Sequence, residues 1–171
     1  IFLVTNGQEP DMIQKLQDED ALPTQLYLST NAADYESFLK INKPKYDDSW
    51  ERWNRTLDML KNLDTRTVLR ITLIRDYNDQ KEMIPAFADM FRKASPHFIE
   101  IKSYMHIGRS TNRLEHENML EMHEVKKFSE QIAKQSKIFS VMDESLVSRI
   151  SILQNNERFI DRYIPTYANT N

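Results

Sequence analysis

The chain has 171 residues, 40% of them hydrophobic and 29% charged, with a net charge of −3 and no cysteine. This composition suits one domain with a sizeable core; it excludes disulfides and thiolate metal sites built from these residues, and a uniformly basic nucleic-acid binder. No apolar run approaches the roughly 20 residues that span a bilayer and no signal peptide is visible, which leads us to expect a cytoplasmic protein.

In chain order, Ile1 to Thr5 reads as a strand running into the turn dipeptide Asn6-Gly7. Pro10 suits the first turn of a helix that carries Met12, Ile13 and Leu16 at helical spacing. Gln25 to Ser29 alternates, with Leu26 and Leu28 on one face and Gln25, Tyr27 and Ser29 on the other. A short helix is predicted over Ala32 to Lys40, interrupted by Asn42-Lys43-Pro44. The next helix opens at Asp48-x-x-Glu51, which resembles a capping box, and carries the stripe Trp50, Trp53, Leu57 and Leu60.

Thr67 to Ile74 is the central strand, with Leu69, Ile71 and Leu73 on one face and Val68, Arg70 and Thr72 on the other. A mid-strand Arg is either solvent-facing on a half-exposed sheet or a ligand group facing a polar cavity. Ile84 to Phe91 marks a helix stopped by Ser95-Pro96, and Phe98 to Lys102 a further strand with Glu100 and Lys102 on its polar face. A long loop from Ser103 to Leu120 reads as functional or disordered. A helix follows through Met122, Val125, Phe128 and Ile132, and Ile138 to Met142 with Val147 to Leu153 forms one or two last strands. We expect a domain over 1–154 and an unassigned tail over 155–171.

Strands alternating with helices predict an α/β fold of parallel strands joined by right-handed crossovers. A doubly wound open sheet would have strands apolar on both faces. These strands keep one polar face, which suits a closed or partly closed barrel with helices outside and Gln25, Tyr27, Ser29, Arg70, Thr72, Glu100 and Lys102 lining a polar lumen. Barrel chemistry sits at the carboxyl ends of the strands, which nominates Thr5, Asn6, Ser29, Thr72, Asn78 and Lys102.

Other patterns carry less. His97, His106, His116 and His123 lack metal-motif spacing and read as surface or loop residues. The pair Trp50 and Trp53 reads as core packing rather than a base-stacking platform. Lys43, Lys45, Arg52 and Arg55, with Arg109 and Arg113 in the long loop, form the local positive charge available to RNA, although such runs usually make a solvated face.

Five segments in order carry a resemblance: Phe2-Leu3-Val4-Thr5-Asn6-Gly7-Gln8, Thr24-Gln25-Leu26-Tyr27-Leu28-Ser29, Asn42-Lys43-Pro44 with Trp50-Glu51-Arg52, Arg66-Thr67-Val68-Leu69-Arg70-Ile71-Thr72-Leu73, and Pro96-His97-Phe98-Ile99-Glu100-Ile101-Lys102. Together they resemble the C-terminal part of the radical domain of the radical S-adenosylmethionine (SAM) tRNA 4-demethylwyosine synthases of the wybutosine pathway. The resemblance covers about residues 1–130, and the ordered series, not any one motif, is specific. It implies a partial (β/α) TIM-like barrel of the radical SAM type. It also implies a 4Fe-4S cluster that cleaves S-adenosyl-L-methionine to a radical, and condensation of pyruvate carbons with 1-methylguanosine in tRNA(Phe). It leaves room for a flavin-type electron donor.

On this resemblance Thr5, Asn6 and Ser29 line the S-adenosylmethionine site, with Thr72 and Asn78 at neighbouring strand ends. Arg70 pairs with that ligand's carboxylate, and Lys102 is the candidate catalytic residue, neutralising pyruvate or a phosphate. The chain departs from the family pattern at Ser103, where the family has Gly, at Met119-Leu120-Glu121-Met122, which lacks a Pro-Trp, and at Asp143-Glu144-Ser145 in place of a His-rich segment. The cluster cysteines are expected upstream of Ile1, since thiolates hold iron–sulfur clusters and none occurs here. Two other readings stand beside the enzyme: an inactive barrel serving as an RNA- or protein-binding module, and an unrelated barrel enzyme acting on a small anionic metabolite.

Overall fold

The computed structural model describes residues 1–164. The predicted elements form close to their expected places: β1 (Phe2–Thr5), α1 (Pro10–Asp18), β2 (Gln25–Ser29), α2 (Tyr35–Asn42), α3 (Ser49–Met59), β3 (Arg66–Leu73), α4 (Ile84–Ala94), β4 (Phe98–Ser103), α5 (Met122–Ser136), β5 (Phe139–Ser145) and β6 (Ile150–Asn155). The last seven residues of the expected tail lie outside the described residues.

Local chemistry sets most boundaries. Pro10 occupies the first turn of α1, where a missing N–H costs nothing. The Asp34 side chain accepts the Ser37 N–H at 2.8 Å and starts α2 three residues later than predicted. Ser95, with φ 42°, ends α4 in the left-handed region, ahead of Pro96. One expected device is absent. Asp48 makes no side-chain cap to α3; its carboxylate accepts Arg52 Nε at 2.8 Å instead, because a charged partner one turn along competes with the backbone.

The six strands form one sheet in the order β1-β2-β3-β4-β6-β5. β1 to β4 are parallel neighbours. The all-parallel expectation fails at the end of the chain. β6 pairs antiparallel with both β4 and β5, because a turn of only four residues, Leu146 to Arg149, joins β5 to β6 and is too short for a crossover. The α5 crossover leaves a gap one strand wide beside β4, and β6 returns into it.

Register decides the two faces. Leu26, Leu28, Leu69, Ile71, Leu73, Ile99, Ile101 and Leu153 are fully buried in one cluster with Phe38, Trp53, Phe87, Phe91, Phe128 and Ile132 from the helices. The helices therefore cover one face, and truncating any of these leucines to Ala costs about 2–5 kcal/mol. On the opposite face the register aligns Ser29, Arg70, Glu100 and Ile152 in one row and Thr72 with Lys102 and Ile150 in the next. Helices on one side only and a polar inner face are the arrangement of a partial (β/α) barrel, not of a doubly wound sheet. Residues beyond β6 cross the amino-terminal end of the polar face, where Arg66 donates to the carbonyls of Asp161 (2.6 Å) and Arg162 (2.8 Å).

The long loop is ordered. It holds two short 3-10 turns, Gly108–Asn112 and His116–Asn118. Arg75, just beyond β3, grips Glu124 of α5 through two bonds of 2.6 and 2.7 Å and donates to the carbonyls of Glu117 and Met119. Hydrogen bonding to Arg75 holds the Glu124 carboxyl below its ordinary range. Among the described residues no helix is long and apolar enough to cross a membrane.

Candidate functional site

At the carboxyl ends of β1 and β2 the chain encloses a cavity of ≈ 430 Å³ lined by Asn6, Gln8, Ser29, Asn31 and Ser49, with Asn42, Lys43, Pro44, Lys45 and Tyr46 forming its far wall. The turn after β1 aims the first two. Gly7 sits at φ +76°, and a Cβ there would meet Leu28 Cδ1 at 2.7 Å and Trp53 at 3.1 Å. Only glycine fits this corner without strain. Thr56 Oγ1 donates to the Gly7 carbonyl at 2.8 Å, Asn6 Oδ1 accepts the Gln8 N–H, and Gln8 Nε2 donates to the Ser49 carbonyl at 3.0 Å. Gln8 Oε1 is buried without a hydrogen-bond partner among the described residues.

The nominated residues fall into three groups. Asn6 and Ser29 line the cavity. Arg70, Thr72 and Lys102 are on the polar face outside the cavity lining, Arg70 in register with Ser29 and Thr72 with Lys102. Thr5 and Asn78 are turned elsewhere. Thr5 pairs with Leu28, so its side chain is on the helix-covered face, where Oγ1 accepts the Gly7 N–H at 3.0 Å. Asn78 is fully buried, donating to the carbonyls of Asn31 and Thr72 and accepting the Ile74 N–H. Both N–H groups of its amide are spent on backbone, which makes it a brace between the ends of β2 and β3.

Arg70 is compensated within the chain. Its Nε lies 2.8 Å from Glu100 Oε1, and its guanidinium sits 4.3 Å from the Tyr27 ring centroid. Burial, reinforced by Glu100 and opposed by Arg70, pushes the Tyr27 hydroxyl above its ordinary pKa. Lys102 has no carboxylate partner among the ion pairs of the described residues.

Sequence reasoning missed Gln8, Asn31, Tyr46 and Ser49 as site residues, and named Lys45 only among the cations available to RNA. Asn31 is the most informative: its Oδ1 accepts the Thr72 N–H at 2.9 Å and extends the β2–β3 pairing past the end of β2. The signal was available in Asn42-Lys43-Pro44, where a proline after a helical run forces the chain to turn. Two of the expected RNA-facing cations are committed elsewhere, Arg52 to Asp48 and Arg55 to Asp11 at 2.6 Å. The histidines gather no metal set; among the described residues no group of three or more His, Asp or Glu could hold an ion.

Residues 93–155 match the family model described as wyosine base formation. The chain is 41% identical over 162 residues to the S-adenosyl-L-methionine-dependent tRNA 4-demethylwyosine synthase of Methanocaldococcus jannaschii, covering 94% of this chain and 48% of that protein. The chain belongs to the tRNA 4-demethylwyosine synthase family. The synthase of Pyrococcus abyssi is 37% identical over 91% of this chain and 45% of its own length. The chain thus spans about half the length of these synthases. Among solved structures, TYW1 with a lysine–pyruvate adduct bound superposes with a TM-score of 0.81 at 40% identity, covering 93% of this chain and 48% of that one. Archaeal TYW1 gives 0.73 at 36% identity, over 93% of this chain and 47% of that one.

Proposed function

We propose that the protein containing this chain is a radical SAM tRNA 4-demethylwyosine synthase, joining pyruvate carbons to 1-methylguanosine in tRNA(Phe) in wybutosine biosynthesis. The observation that carries the reading is the match, along more than nine-tenths of the chain, to synthases of that name. The TYW1 structure with a lysine–pyruvate adduct supports pyruvate as the second substrate.

The polar cavity at the strand ends fits S-adenosyl-L-methionine, a ligand with ribose hydroxyls, an ammonium and a carboxylate. Asn6, Gln8, Ser29 and Asn31 supply polar groups along one side of it. When bound, this cofactor supplies the radical chemistry. Arg70 and Thr72 form the adjoining wall, and Arg70 serves the ligand's carboxylate only while sharing its charge with Glu100. Thr5 and Asn78 act through the backbone they hold. Lys102, half-buried and without a carboxylate partner among the described residues, is the chain's own cation for pyruvate or a phosphate. No residue here holds a 4Fe-4S cluster, because the chain has no cysteine; its ligands belong to the cysteine-bearing part of the same protein.

The test uses the full-length protein, purified without oxygen and reconstituted with iron and sulfide. We expect 5'-deoxyadenosine release and a pyruvate-dependent mass gain on tRNA carrying 1-methylguanosine, both reduced at least tenfold in Asn6→Ala/Ser29→Ala. No tRNA product from a protein that contains its cluster would overturn the proposal and favour the inactive binding module.

A further inference from the structure

We propose that the rim formed by the end of α2 and the long loop is a docking groove for the phosphate backbone of the RNA substrate. This inference rests on the tRNA-modifying reading and adds the surface by which the nucleic acid is held.

Lys43 stands where the two hollows of this rim meet. It closes α2 in the left-handed region, at φ 46° and ψ 62°, and Pro44 bars it from continuing the helix. A lysine held there is oriented by the backbone, at a conformational cost that non-glycine residues seldom bear. It lines two adjoining hollows. One is the 430 Å³ cavity, which it shares with Lys45; the other is a recess of ≈ 60 Å³ shared with Lys40, Tyr77 and Arg113. Together the two linings carry four cationic side chains and no aspartate or glutamate.

Three features distinguish this from an ordinary solvated face. First, four cations that make no ion pair among the described residues, Lys40, Lys43, Lys45 and Arg113, gather on two adjoining hollows whose linings hold no carboxylate. Second, the charges come from separate parts of the chain: Arg113 reaches the recess from the long loop, so the negative end of the α2 dipole does not explain the cluster. Third, the chain as a whole carries −3, so a carboxylate-free set of cations stands out against its background. Tyr77 props the set, with Lys40 Nζ 4.7 Å from its ring centroid. Cations flanking a cavity mouth match an extended polyanion better than a small anion, which would need them convergent on one point. A strand held by its phosphates across this rim would present a base to the adjoining cavity.

The test measures binding of an unmodified tRNA(Phe) transcript by the full-length protein across a series of potassium chloride concentrations. Each phosphate contact contributes about 0.7–0.9 to the slope of log K against log salt. We expect Lys40→Gln/Lys43→Asn/Arg113→Gln to lower that slope by about 2 and to weaken binding on the order of 10–100-fold near physiological salt. Asn tolerates the left-handed backbone, so the variant keeps the turn. The control Lys15→Gln/Lys61→Gln/Lys134→Gln removes the same charge from α1, from the turn after α3 and from the last turn of α5, outside the two linings, and should leave the slope unchanged. If the triple variant misfolds, Arg113→Gln on its exposed loop should still lower the slope by about 0.7. Parental slope and affinity in a folded rim variant would overturn the groove alone. A parent protein that binds no tRNA would overturn the groove together with the function on which it rests.

Discussion

Replacing both members of the Arg70–Glu100 pair should cost less than the sum of replacing each alone. The pair spans neighbouring parallel strands, with Nε–Oε1 at 2.8 Å and side-chain exposures of 28% and 13%. Arg70→Met leaves a carboxylate almost out of water with no cation beside it. A fully buried pair broken in this way costs about 3–5 kcal/mol, and the partial exposure of Arg70 reduces this to about 2–3 kcal/mol. Glu100→Gln retains an acceptor but loses the charge, at about 1–2 kcal/mol. In the double variant neither ion is orphaned, so the cost should fall about 1–2 kcal/mol below the sum of the singles. Urea unfolding of the four proteins gives the coupling directly. S-adenosylmethionine affinity, measured in parallel, separates the roles. A ligand role for Arg70 predicts that Arg70→Met binds the cofactor at least tenfold more weakly while Glu100→Gln changes it little. Additive stabilities, with coupling under about 0.5 kcal/mol, would refute the claim that the pair is compensated within the fold.

Two further outcomes follow from the geometry. Gly7→Ala combines a left-handed backbone with a Cβ 2.7 Å from Leu28 Cδ1, so it should lose about 2–4 kcal/mol and weaken cofactor binding by moving Asn6 and Gln8; a loss under about 1 kcal/mol in thermal unfolding would show that the corner has room. His97, whose Nδ1 accepts the Thr67 N–H at 3.1 Å, is held neutral by burial, with Arg158 and Arg66 adding to the effect, and its pKa falls to about 4. The unfolded chain takes up this proton near pH 6.5 and the folded chain only near 4, so the His97 contribution is complete above pH 6.5 and is lost as pH falls through that window. Half-exposure limits the loss to about 1–2 kcal/mol; His97→Asn should flatten the decline, and an unchanged pH profile in that variant would rule His97 out as its source.

The sequence by itself determined the elements and the chemical character of each face. Alternation in Gln25 to Ser29, Arg66 to Leu73 and Phe98 to Ser103 separates apolar from polar side chains two residues at a time, and that periodicity survives in any fold with a single covered face. Pro10, Pro44 and Ser95-Pro96 mark helix ends because proline limits its own backbone and its neighbour's. The order of the segments was enough to carry the family resemblance, and with it the partial barrel.

What only the tertiary structure decided depends on contacts between residues far apart in the chain. Thr5 and Asn78 were nominated as strand-end polar residues, and the fold turns one to the helix-covered face and spends the other on backbone. Asp48 had the spacing of a cap but found Arg52. The short turn after β5 reverses β6, but its insertion between β4 and β5 fills a gap left by α5, a feature of the whole sheet that no local pattern encodes. The cavity wall is made where the turn after α2 meets the end of β2, and the groove where Lys40 and Lys43 meet Arg113 from a loop some seventy residues later. Periodicity is a local property of the backbone and is written in neighbouring residues; a site is a meeting of loops, and its geometry exists only once the core beneath has fixed where each strand ends.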